Sequence, residues 1–276
     1  MPGQGYWQSK PPAGVPINYG HPLAQAMIGC WLFDSGPGGC ADRVGTSNLT
    51  DSGKSTRPPG LFGGPCGAFA SASSQYLQVP DNQALSITGT LTIAGWFRLA
   101  SANLAGASLA MKYRLSGNAR SYGLALESSR FEMVASSNGT TFTIAVANTF
   151  GAPAIGPWYF VVGQHRNGVD IRVSVNGGAW DVSSFTGGVY DGTANFEIAH
   201  FDSQAGYYFD GSVDNVMLWN RWLSDKEIAE LYAEPYQMFA APVWRRYFVT
   251  ASAPPPPPPV TVTDTGDIWR RCYGYF

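Results

Sequence analysis

The sequence predicts an all-β fold: two antiparallel sheets packed as a sandwich, one short C-terminal helix, and extended arms at both ends. Three observations carry this prediction. Short stretches alternating apolar and polar residues recur from Leu23 to about Phe239. Turn-forming Gly (33) and Pro (20) separate them. Helical periodicity with capping residues occurs at one place only, near residue 225.

Residues 1–20 are rich in Pro, Gly and Gln and read as an extended arm whose large anchors are Tyr6 and Trp7. Residues 21–240 form the predicted domain. Its strands include 74–79 (SQYLQV), 90–99 (TLTIAGWFRL), 131–136 (FEMVAS), 141–148 (TFTIAVAN), 158–165 (WYFVVGQH), 169–177 (VDIRVSVNG) and 207–219 (YYFDGSVDNVMLW). Alternation sends one side of a strand to a core and the other to water or a neighbouring sheet. Asn167-Gly168 and Asn176-Gly177 are tight-turn dipeptides between such strands. The helix is LSDKEIAELYAEP: Ser224 caps it, Glu227 completes a capping box, and Ile228, Leu231 and Tyr232 form its apolar stripe. It is expected over 225–233 at the sandwich edge, ended by Pro235.

Residues 241–276 form a tail. Six prolines (254–259) impose a stiff polyproline II spacer. On either side lies one pattern, an apolar residue followed by Trp-Arg-Arg and an aromatic: Trp244, Arg245 and Arg246, then Trp269, Arg270 and Arg271 with Tyr273, Tyr275 and Phe276. Trp, Tyr and Arg dominate interface hot spots, so both termini are expected to dock on partner proteins.

Only 13% of residues are charged and the formal net charge is −2, which leaves no basic footprint for nucleic acid. No apolar stretch has the length of a membrane span. The first residues lack a basic segment followed by an apolar run, so no signal peptide is expected, and synthesis in a host cytoplasm is. Of the cysteines, Cys30 sits in an apolar run and reads as a buried thiol. A Cys40–Cys66 bridge is conceivable, but the reduced state is expected for all four including Cys272. His165 is expected to be exposed at a strand end, and His200 to lie at the core edge.

Residues 67–232 resemble the laminin-G-like, concanavalin A-like jelly-roll family. The resemblance rests on 67–99 (GAFASASSQYLQVPDNQALSITGTLTIAGWFRL), 156–178 (GPWYFVVGQHRNGVDIRVSVNGG) and 208–232 (YFDGSVDNVMLWNRWLSDKEIAELY). It implies a jelly-roll arrangement of the two sheets and says little about function, because this fold serves enzymes, lectins and spacers alike. Domains of this type often hold one calcium at the sandwich rim, and the resemblance places the ligands at Asp34, Asp42 and Asp214. The loop after Asp42 (RVGTSNLTDSG) departs from the family's Asp-x-Ser-Gly-Asn pattern. The segments INYGHPLAQAMIGCWLFDSGPGG and LYAEPYQMFAAPVWRR are similar to those flanking such domains in bacteriophage structural proteins.

No catalytic machinery is expected. Glycosidases of this fold class carry Glu-x-Asp-x-x-Glu on one strand, and that run is absent. Glu127 and Glu132 have odd spacing, which puts them on opposite faces of a shared strand, and Asp210 and Asp214 belong to the family's structural Asp-Gly-x-x-Asp signature. No G-x-S-x-G elbow occurs. Glycan stacking, if present, would use the loop aromatics Trp180, Tyr190 and Tyr207. The expected function is a non-enzymatic attachment protein of a virion, a capsid decoration or tail-associated subunit. It would be homo-oligomeric within the particle and anchored by its termini. The alternative is a carbohydrate-binding adhesin for host-surface glycans.

Overall fold

The structure, a computed structural model, describes residues 9–101, 105–201 and 206–240. The predicted anchors Tyr6, Trp7, Trp244, Arg245, Arg246, Trp269, Arg270, Arg271, Tyr273, Tyr275 and Phe276 lie outside these residues, as do the polyproline tract and Cys272.

The strands are β1 (Met27–Trp31), β2 (Gly39–Cys40), β3 (Leu49–Ser52), β4 (Gly67–Phe69), β5 (Tyr76–Val79), β6 (Leu91–Leu99), β7 (Ala105–Lys112), β8 (Tyr122–Glu127), β9 (Arg130–Ala135), β10 (Thr143–Val146), β11 (Trp158–Arg166), β12 (Val169–Val175), β13 (Asp181–Phe185), β14 (Phe196–Ile198) and β15 (Gly211–Trp219). A single helix, α1 (Asp225–Ala233), follows β15. A seven-stranded sheet has the order β1-β15-β6-β11-β12-β13, with β4 also paired to β15. An eight-stranded sheet has the order β10-β9-β8-β7-β14-β5-β3-β2. Their inner faces enclose the main core, which includes Trp31, Leu77, Phe97, Leu124, Phe131, Met133, Val161, Ile171, Phe196 and Leu218.

The seven-stranded sheet is also covered on its outer face. Trp96, Phe160, Val162, Met217 and Trp219 point outward from its central strands and pack against Ile17 and Leu23 of the N-terminal segment, Ile228 and Leu231 of α1, and Tyr236, Met238 and Phe239. Burial on both sides explains why β6, β11 and β15 are buried almost continuously instead of alternately.

Helix α1 begins as its sequence dictates. The Ser224 hydroxyl accepts the Glu227 backbone N–H, and the Glu227 carboxylate accepts the Ser224 backbone N–H at 2.8 Å. The helix does not sit at the sandwich edge. Its stripe reaches the middle of the seven-stranded sheet, where the Tyr232 ring stacks on Trp96 with centroids 5.5 Å apart.

His165 is fully buried, contrary to expectation. It pairs with Leu91 on β6 and points inward, its ring nitrogens contacting the carbonyls of Gly89 (2.8 Å) and Gly187 (3.1 Å). Burial lowers its pKa. The strand runs on past His165 to Arg166 before turning, so neighbours flank the ring on both sides. Cys30, Cys40 and Cys66 are buried free thiols, and burial pushes the Cys40 thiol up to about 12.

A candidate glycan-binding groove on the open sheet face

Among the described residues, the outer face of the eight-stranded sheet carries a smaller apolar cluster than its partner sheet: Met111, Tyr113, Ala125, Val134 and Phe201 are buried there, with Leu115, Ile144 and Tyr207 packed against them. Along β8, β9 and β10, Leu124, Leu126, Phe131, Met133 and Ala145 enter the core. Their neighbours Ala125, Glu127, Glu132, Val134 and Ile144 therefore face outward, and all five line one groove. Met111 from β7 completes an apolar floor, and four aromatic rings rise around it: Tyr113, Phe142, Phe201 and Tyr207. Tyr113 meets Phe142 and Phe201 edge-on at 6.4 and 5.5 Å, and Phe201 lies 4.8 Å from Tyr207. The groove encloses about 210 Å³. That is below the roughly 300–1,000 Å³ of sites for drug-sized ligands, and suits a single ring-sized group.

Backbone irregularity shapes one wall. Strand β7 is bulged against β8 between Ala105 and Ala107 and again between Ser108 and Ala110. Such bulges re-aim side chains and recur beside binding sites. Gly106 lies inside the first bulge at φ +102°, and a Cβ there would come within 2.5 Å of the Tyr207 ring. Only glycine allows that ring to lie against β7. The Ser108 N–H donates to the Tyr207 carbonyl at 3.3 Å, while the buried Ser108 hydroxyl has no partner among the described residues.

Glu127 and Glu132 are the groove's carboxyl groups, and they share a face. They sit on different strands of the β8–β9 hairpin, where Ala125 pairs with Glu132 and Glu127 with Arg130. The two acids are diagonal neighbours, a relation that spans about 7–8 Å in a sheet. The opposite-face expectation fails because it assumed one strand. The turn between them is Ser128-Ser129, with φ of 46° and 65°. A two-residue turn with both φ values positive is usually announced by Asn-Gly or Asp-Gly. Glu132 is only 5% exposed and has no hydrogen-bond or ion-pair partner among the described residues. Burial, reinforced by the charge of Glu127, pushes its carboxyl up to about 7. Arg130 donates to the Ser129 carbonyl and pairs with neither acid. Arg120 lies 5.9 Å over the Tyr113 ring, whose hydroxyl pKa burial raises against that cation.

The three aspartates expected to hold calcium are engaged separately. Asp34 accepts from Arg43 at 2.7 Å. Asp42 accepts the backbone N–H groups of Cys30, Val44 and Ser47. Asp214 is fully buried and accepts from Lys10 at 2.5 Å, yet burial still raises its carboxyl to about 6. Among the described residues no three His, Cys, Asp or Glu side chains converge on a metal position.

The aromatic candidates separate in the same way. Tyr207 lines the groove. Tyr190 is exposed on a loop, its ring over Gly139. Trp180 lies on the other sheet, stacked on the Arg172 guanidinium at 3.7 Å and donating to Asp225. Arg172 is itself 3.9 Å from Trp222. Tyr113, Phe142 and Phe201 were not singled out by the sequence, since nothing local distinguishes them from strand aromatics.

A family profile described as the concanavalin A-like lectin/glucanases superfamily, of laminin-G type, matches residues 71–229, more than half of the chain. The chain belongs to this superfamily. No curated protein matches it in sequence. Among solved structures, the chain is similar to the binding domain of Paraclostridial Mosquitocidal Protein 1 (TM-score 0.59, 14% identity, covering 75% of this chain and 52% of that one). It is similar to Domain 4 of AbnA, a GH43 extracellular arabinanase from Geobacillus stearothermophilus solved with arabinotriose (0.59, 13%, 75% and 98%). It also resembles the binding domain of botulinum neurotoxin DC in complex with SialylT (0.55, 13%, 75% and 50%). The chain spans about half the length of the two toxin binding domains and nearly all of the arabinanase domain. At these identities the likeness establishes the fold alone. No helix among the described residues is long and apolar enough to cross a membrane.

Proposed function

We propose that this chain is a glycan-binding module without catalytic activity, and that its ligand site is the groove on the open face of the eight-stranded sheet. The observation that carries the reading is the position of the groove. One sheet is covered on both faces, and the outer face of the other gathers the exposed Phe142, the half-buried Tyr207 and two carboxyl groups around an apolar floor in which Tyr113 and Phe201 are buried. Aromatic rings stack on the C–H faces of sugars, while carboxyl and hydroxyl groups accept hydrogen bonds from sugar hydroxyls. Solved relatives in fold include an arabinanase domain bound to arabinotriose and a neurotoxin binding domain bound to SialylT, which supports a glycan ligand. A glycan array probed with the full chain tests this. Binding to at least one glycan, reduced about tenfold or more by Phe142→Ala, is expected. A blank array, or hits that the substitution does not affect, would count against it.

A hydrolytic reading has one observation in its favour, the pairing of Glu127 with a Glu132 whose carboxyl titrates near neutrality. One protonated and one ionised carboxyl is the division of labour glycosidases use. Release of reducing sugar from array-positive glycans, abolished by Glu132→Gln, would establish that reading in place of ours.

Attachment to a larger particle, a virion in the fullest form of the reading, rests on the Trp-Arg-Arg repeat and proline spacer of residues 241–276. Loss of particle incorporation on deleting residues 254–276 would support it.

A further inference from the structure

The groove combines two features that favour the same kind of ligand. Its carboxyl groups, Glu127 on β8 and Glu132 on β9, share one face, and neither has a cationic partner among the described residues. Its walls are aromatic, and the faces of aromatic rings carry negative potential. The charged and titratable groups around Glu132 are few. Its own hairpin supplies Glu127 and Arg130, and Arg130 is turned to the Ser129 carbonyl. The segment after β7 supplies Tyr113, with Arg120 stacked on that ring. The segment before β15 supplies Tyr207, and the groove-lining residues on the β10 side, Phe142 and Ile144, carry no charge.

Glu132 is the decisive group. It is nineteen-twentieths buried, unpartnered, and lines the cavity. A buried carboxylate without a partner is unfavourable unless a cation or several donors meet it. The Ser108 hydroxyl, also buried and unpartnered in the same lining, offers one further polar contact. Neutral sugar hydroxyls can donate to these oxygens, but only a cation also neutralises the charge of the pair. Charge-assisted hydrogen bonds are roughly twice as strong as neutral ones.

We propose that the groove selects a sugar bearing a protonated amine, with the ammonium seated between Glu127 and Glu132 and the C–H face of the ring against the aromatic wall. This rests on the glycan-binding reading above and narrows it from glycans in general to amino sugars with a free amine. Acetylation would remove the charge and so the preference.

The test is isothermal titration of the full chain, at neutral pH, with a short glucosamine oligomer, its fully N-acetylated counterpart, a neutral glucose oligomer of equal length, and a lysine-containing peptide. The glucosamine oligomer is expected to bind at least about tenfold more tightly than either of the other oligomers, which corresponds to about 1.4 kcal/mol. Glu132→Gln keeps the shape of the side chain and is expected to erase that preference, so that on this variant the glucosamine oligomer and its acetylated counterpart bind within about twofold of each other. Glu127→Gln, at an exposed position, is expected to reduce the preference and serves should Glu132→Gln fail to fold. Equal or tighter binding of the acetylated or neutral oligomer would overturn the amine preference and leave the glycan-binding reading standing. Binding of the peptide as tight as that of the glucosamine oligomer would overturn it in favour of a protein ligand. Binding of none of the four, together with a blank array, would remove both readings.

Discussion

Replacing Glu132 by Gln tests the groove's electrostatics without any ligand. The carboxyl is raised from an ordinary 4.5 to about 7, first by burial and then by Glu127. At about 1.4 kcal/mol per pH unit, that rise corresponds to ~3 kcal/mol. The direction follows from proton linkage. The native state keeps the Glu132 proton up to about pH 7, whereas the unfolded chain releases it near 4.5. Between these values the native state binds more protons, so stability falls as pH rises and levels off above about 7. Asp214, raised to about 6, adds a similar decline at lower pH, but it is present in both proteins and cancels in their difference. Urea denaturation of wild type and Glu132→Gln should therefore give similar stabilities at pH ~4.5 and a variant ~3 kcal/mol more stable at pH ~8. For a domain of this size the high-pH gain is roughly 6–12 °C in melting temperature. A difference that does not change with pH would show that Glu132 titrates normally and refute the description of the groove.

Three further outcomes follow from particular contacts. Lys10→Met removes the cation from the fully buried Asp214 and should destabilise the protein by about 3–5 kcal/mol at neutral pH, less in acid where Asp214 is protonated; a loss under about 1 kcal/mol in denaturant titration would refute the pair's importance. Gly106→Ala places a methyl group against the Tyr207 ring at a positive φ, so it should weaken glycan binding several-fold and lower stability by about 1–3 kcal/mol, and unchanged titrations would show that Tyr207 is not positioned by β7. Because Asp34, Asp42 and Asp214 each have protein partners, excess chelator should leave the melting curve in place, and a lowered melting temperature would reveal a stabilising calcium.

The architecture was legible in the chain because its signals are local. Alternation marks β9 and β10, Asn176-Gly177 marks the β12–β13 turn, and Ser224 with Glu227 marks the start of α1. The position of α1 was not legible, because the outward residues Trp96, Phe160 and Trp219 look like core residues until a second cover is known. The groove was hidden for two reasons. Its hairpin turns on Ser128-Ser129, which lacks the usual glycine signal, so Glu127 and Glu132 could not be placed on adjacent strands. Its aromatic walls come from segments far apart in sequence, joined by long-range strand pairing that no local pattern specifies. Of the loop aromatics considered for stacking, Tyr207 alone reaches the groove.

The central claim is that a glycan binds on the open face of the eight-stranded sheet. It is tested most directly by mapping amide chemical-shift changes as an array-positive glycan is added to the isotopically labelled full chain. The account predicts that the largest changes fall on Met111, Tyr113, Ala125, Glu132, Val134 and Ile144, the lining of the groove. Changes confined to the Trp180, Arg172 and Trp222 stack on the opposite sheet, with the groove amides unmoved, would contradict it.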